Sequence, residues 1–193
     1  MIGSRGTLVA VIVGLSLGAL AGASVFFAWP TLVRSQAAAV PRHPKFTEVR
    51  WPFPTDEWGK GKAFRCVAAD CGGEVSVYIR AKIGFCNCLT GVADDNELDR
   101  LTDFGLMGER LSVLGPGREI KVAWMNGRSR AFKVGGAPPA GQSALSVGFN
   151  DHCDAIVATA VHGAEQSTAV EPVVLEFLNS KTVIGWAEVA LGL

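Results

Sequence analysis

Five cysteines are the residues in this chain whose chemistry is easiest to specify: Cys66, Cys71, Cys86, Cys88 and Cys153. The first four fall within a short stretch, spaced Cys-x4-Cys and then Cys-x-Cys. Two residues apart on an extended strand, Cys86 and Cys88 have roughly 6.6 Å between their Cα atoms and side chains that run parallel, so they are not expected to bond to each other. Each needs a partner elsewhere. Cys66 and Cys71 are the nearest, and the expected arrangement is two disulfides crossing from Cys66 and Cys71 to Cys86 and Cys88, with Cys153 free or buried. The alternative is a four-thiolate site for zinc or copper built from the same four residues, though the spacing lacks the paired Cys-x2-Cys of zinc ribbons. A third possibility is a redox-active thiol pair, which no Cys-x-x-Cys at a helix start supports. No cofactor is expected on the main reading.

Asp151-His152-Cys153-Asp154 is a second point of interest, since a Cys/His pair can supply a nucleophile or metal ligands. Adjacent residues on an extended chain point to opposite faces, so His152 is not placed to activate Cys153, and a polar turn ahead of a strand is the expected reading. His43 falls in a proline-rich stretch and His162 at an exposed strand end. Asp94, Asp95, Glu97 and Asp99 gather at one helix start, where carboxylates cap and complement the dipole. The sequence holds no phosphate-binding glycine loop, no His-Glu-x-x-His, no Gly-x-Ser-x-Gly and no calcium-loop spacing. With 18 basic and 18 acidic residues the net charge is zero, which gives no bulk electrostatic case for nucleic acid. No small-molecule substrate is evident.

The elements that position these residues begin with an apolar segment. From Gly6 to Val33 there is no charged side chain, a run longer than the ~20 residues that span a bilayer. A cleaved signal peptide, an uncleaved signal anchor and a helix inserted with its N-terminus outside are the three readings of it. Small residues at Ala21 and Ala23 suit cleavage, but Val25 to Trp29 continue the apolar run beyond them, so residues 1–34 are expected to be an uncleaved single-pass anchor. Arg34, Arg42, Lys45 and Arg50 after the span point the domain inward by simple count. Long domains translocate with little regard to charge, and the cysteines argue for an oxidising compartment, so the domain is expected on the periplasmic or extracellular side of a cell membrane. Residues 35–58, with Pro41, Pro44, Pro52 and Pro54, read as an extended spacer, with Phe46, Trp51, Phe53 and Trp58 docking on the domain or on lipid headgroups. Residues 59–193 form the folded part.

Within that part, Val75 to Ile83 alternates apolar and polar residues as a half-buried strand does. Asp94 to Leu106 reads as one modest helix, capped by Asp94 or Asp95 and buried through Leu98, Leu101 and Leu106. Leu114 to Gly117 is a turn. Arg118 to Val134 is expected as a hairpin with the loop Met125-Asn126-Gly127, which pairs Ile120 with Phe132 and Val122 with Arg130. Ser143 to Phe149, Ala155 to His162, Pro172 to Leu178 and Thr182 to Leu191 read as further strands, the last two joined at Asn179-Ser180-Lys181. The result is a mainly β domain, a small sandwich or barrel with one short helix. An anchor without a recognisable catalytic motif points to a non-enzymatic accessory domain that binds a partner protein.

Overall fold

The computed structural model describes residues 43–107, 110–135, 141–166 and 169–193; the expected anchor at 1–34 lies outside them. The fold is mainly β. Eight antiparallel strands form one sheet: β1 (Thr47–Val49), β2 (Lys62–Cys66), β3 (Val75–Lys82), β4 (Arg110–Val113), β5 (Arg118–Val122), β6 (Met125–Gly135), β7 (Gln142–Asp151) and β8 (Asp154–Gly163). Their order is β1-β2-β3-β8-β7-β6-β4, with β5 also paired to β6. At the centre β7 and β8 pair along their whole length, from Gln142 opposite Gly163 to Asp151 opposite Asp154. β6 carries β5 along its first half and β4 along its second, leaving the turn Leu114–Gly117 between them. Residues 43–58, the described part of the expected spacer, include β1, which pairs with β2.

The helices are α1 (Ala68–Cys71), α2 (Asp95–Leu101), α3 (Phe104–Met107), α4 (Val170–Leu178) and α5 (Lys181–Leu191). Three of these, α1, α4 and α5, fall where no helix was expected, α2 and α3 divide the one expected over Asp94 to Leu106, and α4 and α5 replace the two strands expected over residues 172–191. β-branched Val173, Val174 and Val183 suggested extended chain. The buried apolar residues of α4 are Val170, Val173, Val174, Phe177 and Leu178, a spacing of three and four that only a helix brings to one side. Pro172 falls in the first turn, where its missing N–H costs nothing, and Ser180 caps α5 by accepting from the Val183 N–H.

The two sheet faces differ in chemistry. One is apolar: Val75, Val77 and Ile79 of β3, Leu145, Val147 and Phe149 of β7, and Ile156, Ala158 and Ala160 of β8 meet α4 and α5 in the main core. Phe177 is its aromatic centre, stacked on Phe46 at 4.1 Å and edge-on to Phe64 at 4.9 Å. The opposite face carries Tyr78, Arg80, Lys82, Ser146, Thr159, Arg128 and Arg130, and α2 covers part of it through Leu98 and Leu101. Gly148 makes this possible, since a Cβ there would run into Leu98 and Val92. The β3 strand is therefore buried on both sides, where the sequence suggested one. The hydroxyls of Ser146 and Thr159, cross-strand neighbours on this face, are buried with no protein partner.

Two local expectations need correction. The β5–β6 hairpin turns at Ala123-Trp124, not at Met125–Gly127, so Val122 pairs with Met125 and Ile120 with Gly127. Gly127 is required inside the strand, because a Cβ there would strike the Gly148 carbonyl and Phe149; the left-handed residue is Ala123, at φ 52°, whose N–H donates to Asn179. The helix after Asp94 starts as expected, with the Asp94 side chain accepting from Glu97 N. It stops at Leu101, because Thr102 is extended, and α3 follows as a separate turn.

Candidate functional site

Cys86, Cys88, Cys153 and His152 meet at one end of the sheet, where the loop after β3 folds against the β7–β8 turn, while Cys66 and Cys71 lie at the other end, beside the start of β3. β3 ends at Lys82 and the chain reverses through Gly84, at φ 68°. From there to Val92 the loop is fastened at successive points. The Gly84 N–H donates to Asp154 at 2.6 Å, the Cys86 N–H to the Cys153 carbonyl at 3.2 Å, and the Val92 N–H to Asn150 at 3.0 Å. Asn150 also donates to the His152 carbonyl at 2.9 Å, so one side chain ties the loop's end to the turn.

The disulfides are Cys66–Cys71 and Cys88–Cys153, which corrects the expected crossing pattern. Cys66 and Cys71 lie at the end of β2 and in α1, so the short helical turn brings them together locally. Cys153 is bridged, and Cys86 is the free, buried cysteine. These bonds engage three of the four residues of the expected thiolate set, so it is not assembled. Among the described residues no group of three His, Cys, Asp or Glu side chains is gathered around a metal-sized space.

Cys86 sits in a small apolar cluster with Val92, Leu98, Leu101 and Ala155, its thiol donating to the His152 carbonyl at 3.3 Å. Burial pushes this thiol up from its ordinary range, and the nearby Asp154 carboxylate adds to the effect. His152, at φ 52°, is exposed at the turn with Nδ1 2.9 Å from Asp151, and Cys153, bridged to Cys88, has no thiol for it to activate. His162, expected at an exposed strand end, is buried instead; burial holds its imidazole below the usual range.

Beneath the loop lies a charge network that the sequence reading missed. Arg80 is 2 % exposed. It donates to both oxygens of Asp103 at 3.0 and 2.5 Å, and to Asp56 at 2.6 Å, while Lys82 Nζ lies 3.0 Å from Asp103. Burial alone would lower the Arg80 pKa, but the two carboxylates outweigh it and hold the guanidinium charged. The Arg80 hydrogen bond in turn keeps the Asp56 carboxyl below the usual range, helped by the Trp58 N–H. Two cations face two anions, so the network is neutral as a whole. Lys82 also lies 5.6 Å from the ring centres of both Trp58 and Phe85, which meet edge-on at 4.9 Å. The network thereby fixes Phe85, the residue from which the cysteine loop departs.

The loop displays apolar side chains outward. Leu89 is 95 % exposed and Ile83 52 %. Asn87 turns the backbone beneath Leu89 by accepting from its N–H at 2.9 Å, and the Gly91 N–H closes the turn on the Asn87 carbonyl at 2.7 Å. Gly91, at φ 62°, is held where any Cβ would strike Asn150. Leu89 thus lies in water on a backbone fixed by a disulfide and several hydrogen bonds, whereas Val189, 81 % exposed, lies on the outer side of α5. The signal available in the sequence was Cys-Leu-Thr-Gly after a strand; what concealed its meaning was the partner of Cys88, which lies 65 residues away. No protein-family model matches this sequence and no curated protein matches it, so its functional reading rests on the chemistry of these residues.

Proposed function

We propose that this chain is a membrane-tethered, non-enzymatic interaction domain working on the periplasmic or extracellular side, and that the Ile83–Gly91 loop is its contact with a partner protein. The observation that carries this reading is Leu89, exposed on a loop that is locked before any partner arrives. Preorganisation of this kind lowers the ordering cost of association, so a small apolar anchor gains affinity it would not have on a mobile loop. Two disulfides support an oxidising compartment, and the charge-free run from Gly6 to Val33 supports the tether. β2, β3, β5, β6, β7 and β8 turn apolar side chains into one core with α4 and α5, which supports a barrel-like curl of the single sheet.

The test is site-specific photocrosslinking of the full chain in its native membrane. A photoreactive residue at position 89 is expected to give one discrete protein adduct, absent with the same residue at Val189 and lost when Ile83→Asp is added. Equal adduct patterns at positions 89 and 189 would remove the loop as the contact. A C-terminal phosphatase fusion, active only outside the cytoplasm, checks the compartment.

A further inference from the structure

We propose that Cys86, Cys88 and Cys153 form one thiol–disulfide exchange centre, in which the buried Cys86 thiol displaces Cys88 from Cys153 and leaves Cys88 as the exposed free thiol. This goes beyond partner binding and does not depend on it, because the exchange is internal to the chain.

Three observations carry it. The Cys86 thiol already lies against the peptide bond joining His152 to Cys153, donating to the His152 carbonyl at 3.3 Å. The Cys86 N–H is bonded to the Cys153 carbonyl itself. One such bond at 3.2 Å brings the two backbones together on the scale of the roughly 4.4–6.8 Å between Cα atoms that a disulfide bridges. Finally, a Cys86–Cys153 bridge would close nearly the same length of chain as Cys88–Cys153, so loop entropy favours neither.

The step balances without an outside reagent. Cys86 gives up its proton to solvent and attacks Sγ of Cys153. The Cys86–Cys153 bond forms as the Cys88–Cys153 bond breaks, and the electron pair leaves on Cys88 Sγ, which takes a proton from solvent. One disulfide and one thiol are present before and after, so nothing is oxidised or reduced overall. The exchange has a consequence for the loop. In the starting arrangement the free thiol is sealed among Val92, Leu98, Leu101 and Ala155; afterwards it is carried by the exposed residue next to Leu89, where a disulfide-bearing partner could reach it.

The groups facing the Cys86 thiol set its rate. Asp154 and Glu97 disfavour the thiolate, Arg100 favours it, and burial opposes it most; on the adjoining turn, His152 is exposed and held by Asp151. Below the thiol pKa the thiolate fraction rises about tenfold per pH unit, so exchange at pH 8 is expected about tenfold faster than at pH 7.

The experiment uses the oxidised full chain in detergent, incubated with a bulky maleimide at pH 7 and pH 8 and mapped by non-reducing peptide mass spectrometry. The expected product carries the label on Cys88 together with a Cys86–Cys153 peptide pair, and forms faster at the higher pH. Label on Cys86 with Cys88–Cys153 intact, or no label at all, overturns the proposal. A second measurement needs no alkylation: Cys88→Ser is expected to oxidise to a Cys86–Cys153 bridge with no free thiol. Folded Cys88→Ser with Cys86 and Cys153 both reduced under oxidising conditions would equally overturn it.

Discussion

At the scale of single residues, Asp103 holds the largest share of the buried charge on the polar face. It accepts two hydrogen bonds from Arg80 and lies beside Lys82, so removing it leaves the 2 % exposed Arg80 with Asp56 alone and takes the carboxylate from Lys82, an excess of one buried positive charge. Leaving a buried charge without its partner typically costs about 3–5 kcal/mol. Asp103→Ala is accordingly expected to lower unfolding free energy by about that much, read as a fall in the urea midpoint at unchanged slope. Combining it with Arg80→Met should recover much of the loss, because the excess positive charge is then gone and Lys82 and Asp56 remain as one cation and one anion. If Asp103→Ala alone moves the midpoint no further than an exposed substitution does, the network is not a structural keystone. None of this was legible locally. Arg80 and Lys82 alternate with apolar residues along β3, a pattern that looks solvent-facing until Asp56 and Asp103, lying 24 and 23 residues from Arg80, are seen to cover them.

At the scale of elements, the pair α4–α5 closes the apolar face, and Phe177 is where it grips the sheet through Phe46 and Phe64. Phe177→Ala is expected to cost about 3–5 kcal/mol, since it removes a buried ring that meets both Phe46 and Phe64; Val189→Ala, on the exposed side of α5, should stay within about 0.5 kcal/mol. Thermal or urea unfolding of the two variants distinguishes a packed helix from one that merely rests on the surface. What the sequence revealed about elements follows which forces are local. β3, β7 and β8 were legible because their periods of two or continuous apolar runs reflect burial against the sheet's own neighbours. The helical spacing of Val170, Val173, Val174, Phe177 and Leu178 was equally present, but β-branched residues and a proline masked it. β-propensity yielded to tertiary packing there. The β5–β6 turn was misplaced for the opposite reason: Asn126-Gly127 carries a strong turn signal, yet Gly127 is needed flat against Gly148, a contact between strands that no local pattern records.

Across the whole molecule, the cysteines announced covalent cross-links but not their partners, because pairing is decided by which loops the sheet brings together. β7 and β8 meet in a two-residue turn at one end, and the loop after β3 falls on that turn because β3 is β8's other neighbour. Strand order thus selects Cys153 for Cys88, while Cys66 and Cys71 close locally around α1. The two bridges should differ in their effect on stability. Loop closure in the unfolded chain scales with the logarithm of the span. The five-residue separation of Cys66 and Cys71 corresponds to about 2 kcal/mol and the 65-residue separation of Cys88 and Cys153 to about 4 kcal/mol on that relation. Paired variants make the comparison clean: Cys66→Ala with Cys71→Ala, and Cys88→Ala with Cys153→Ala, the second pair also disabling exchange with Cys86. The second pair is expected to lose about twice as much unfolding free energy as the first. It should also free Leu89, visible as faster amide hydrogen exchange confined to the loop between Gly84 and Val92. Should the Cys66/Cys71 pair prove the costlier, local packing around α1 rather than restriction of the unfolded chain would be the main contribution of these bridges. Leu89 would then owe its fixed position to the hydrogen bonds of Asn87 and Asn150 rather than to the disulfide.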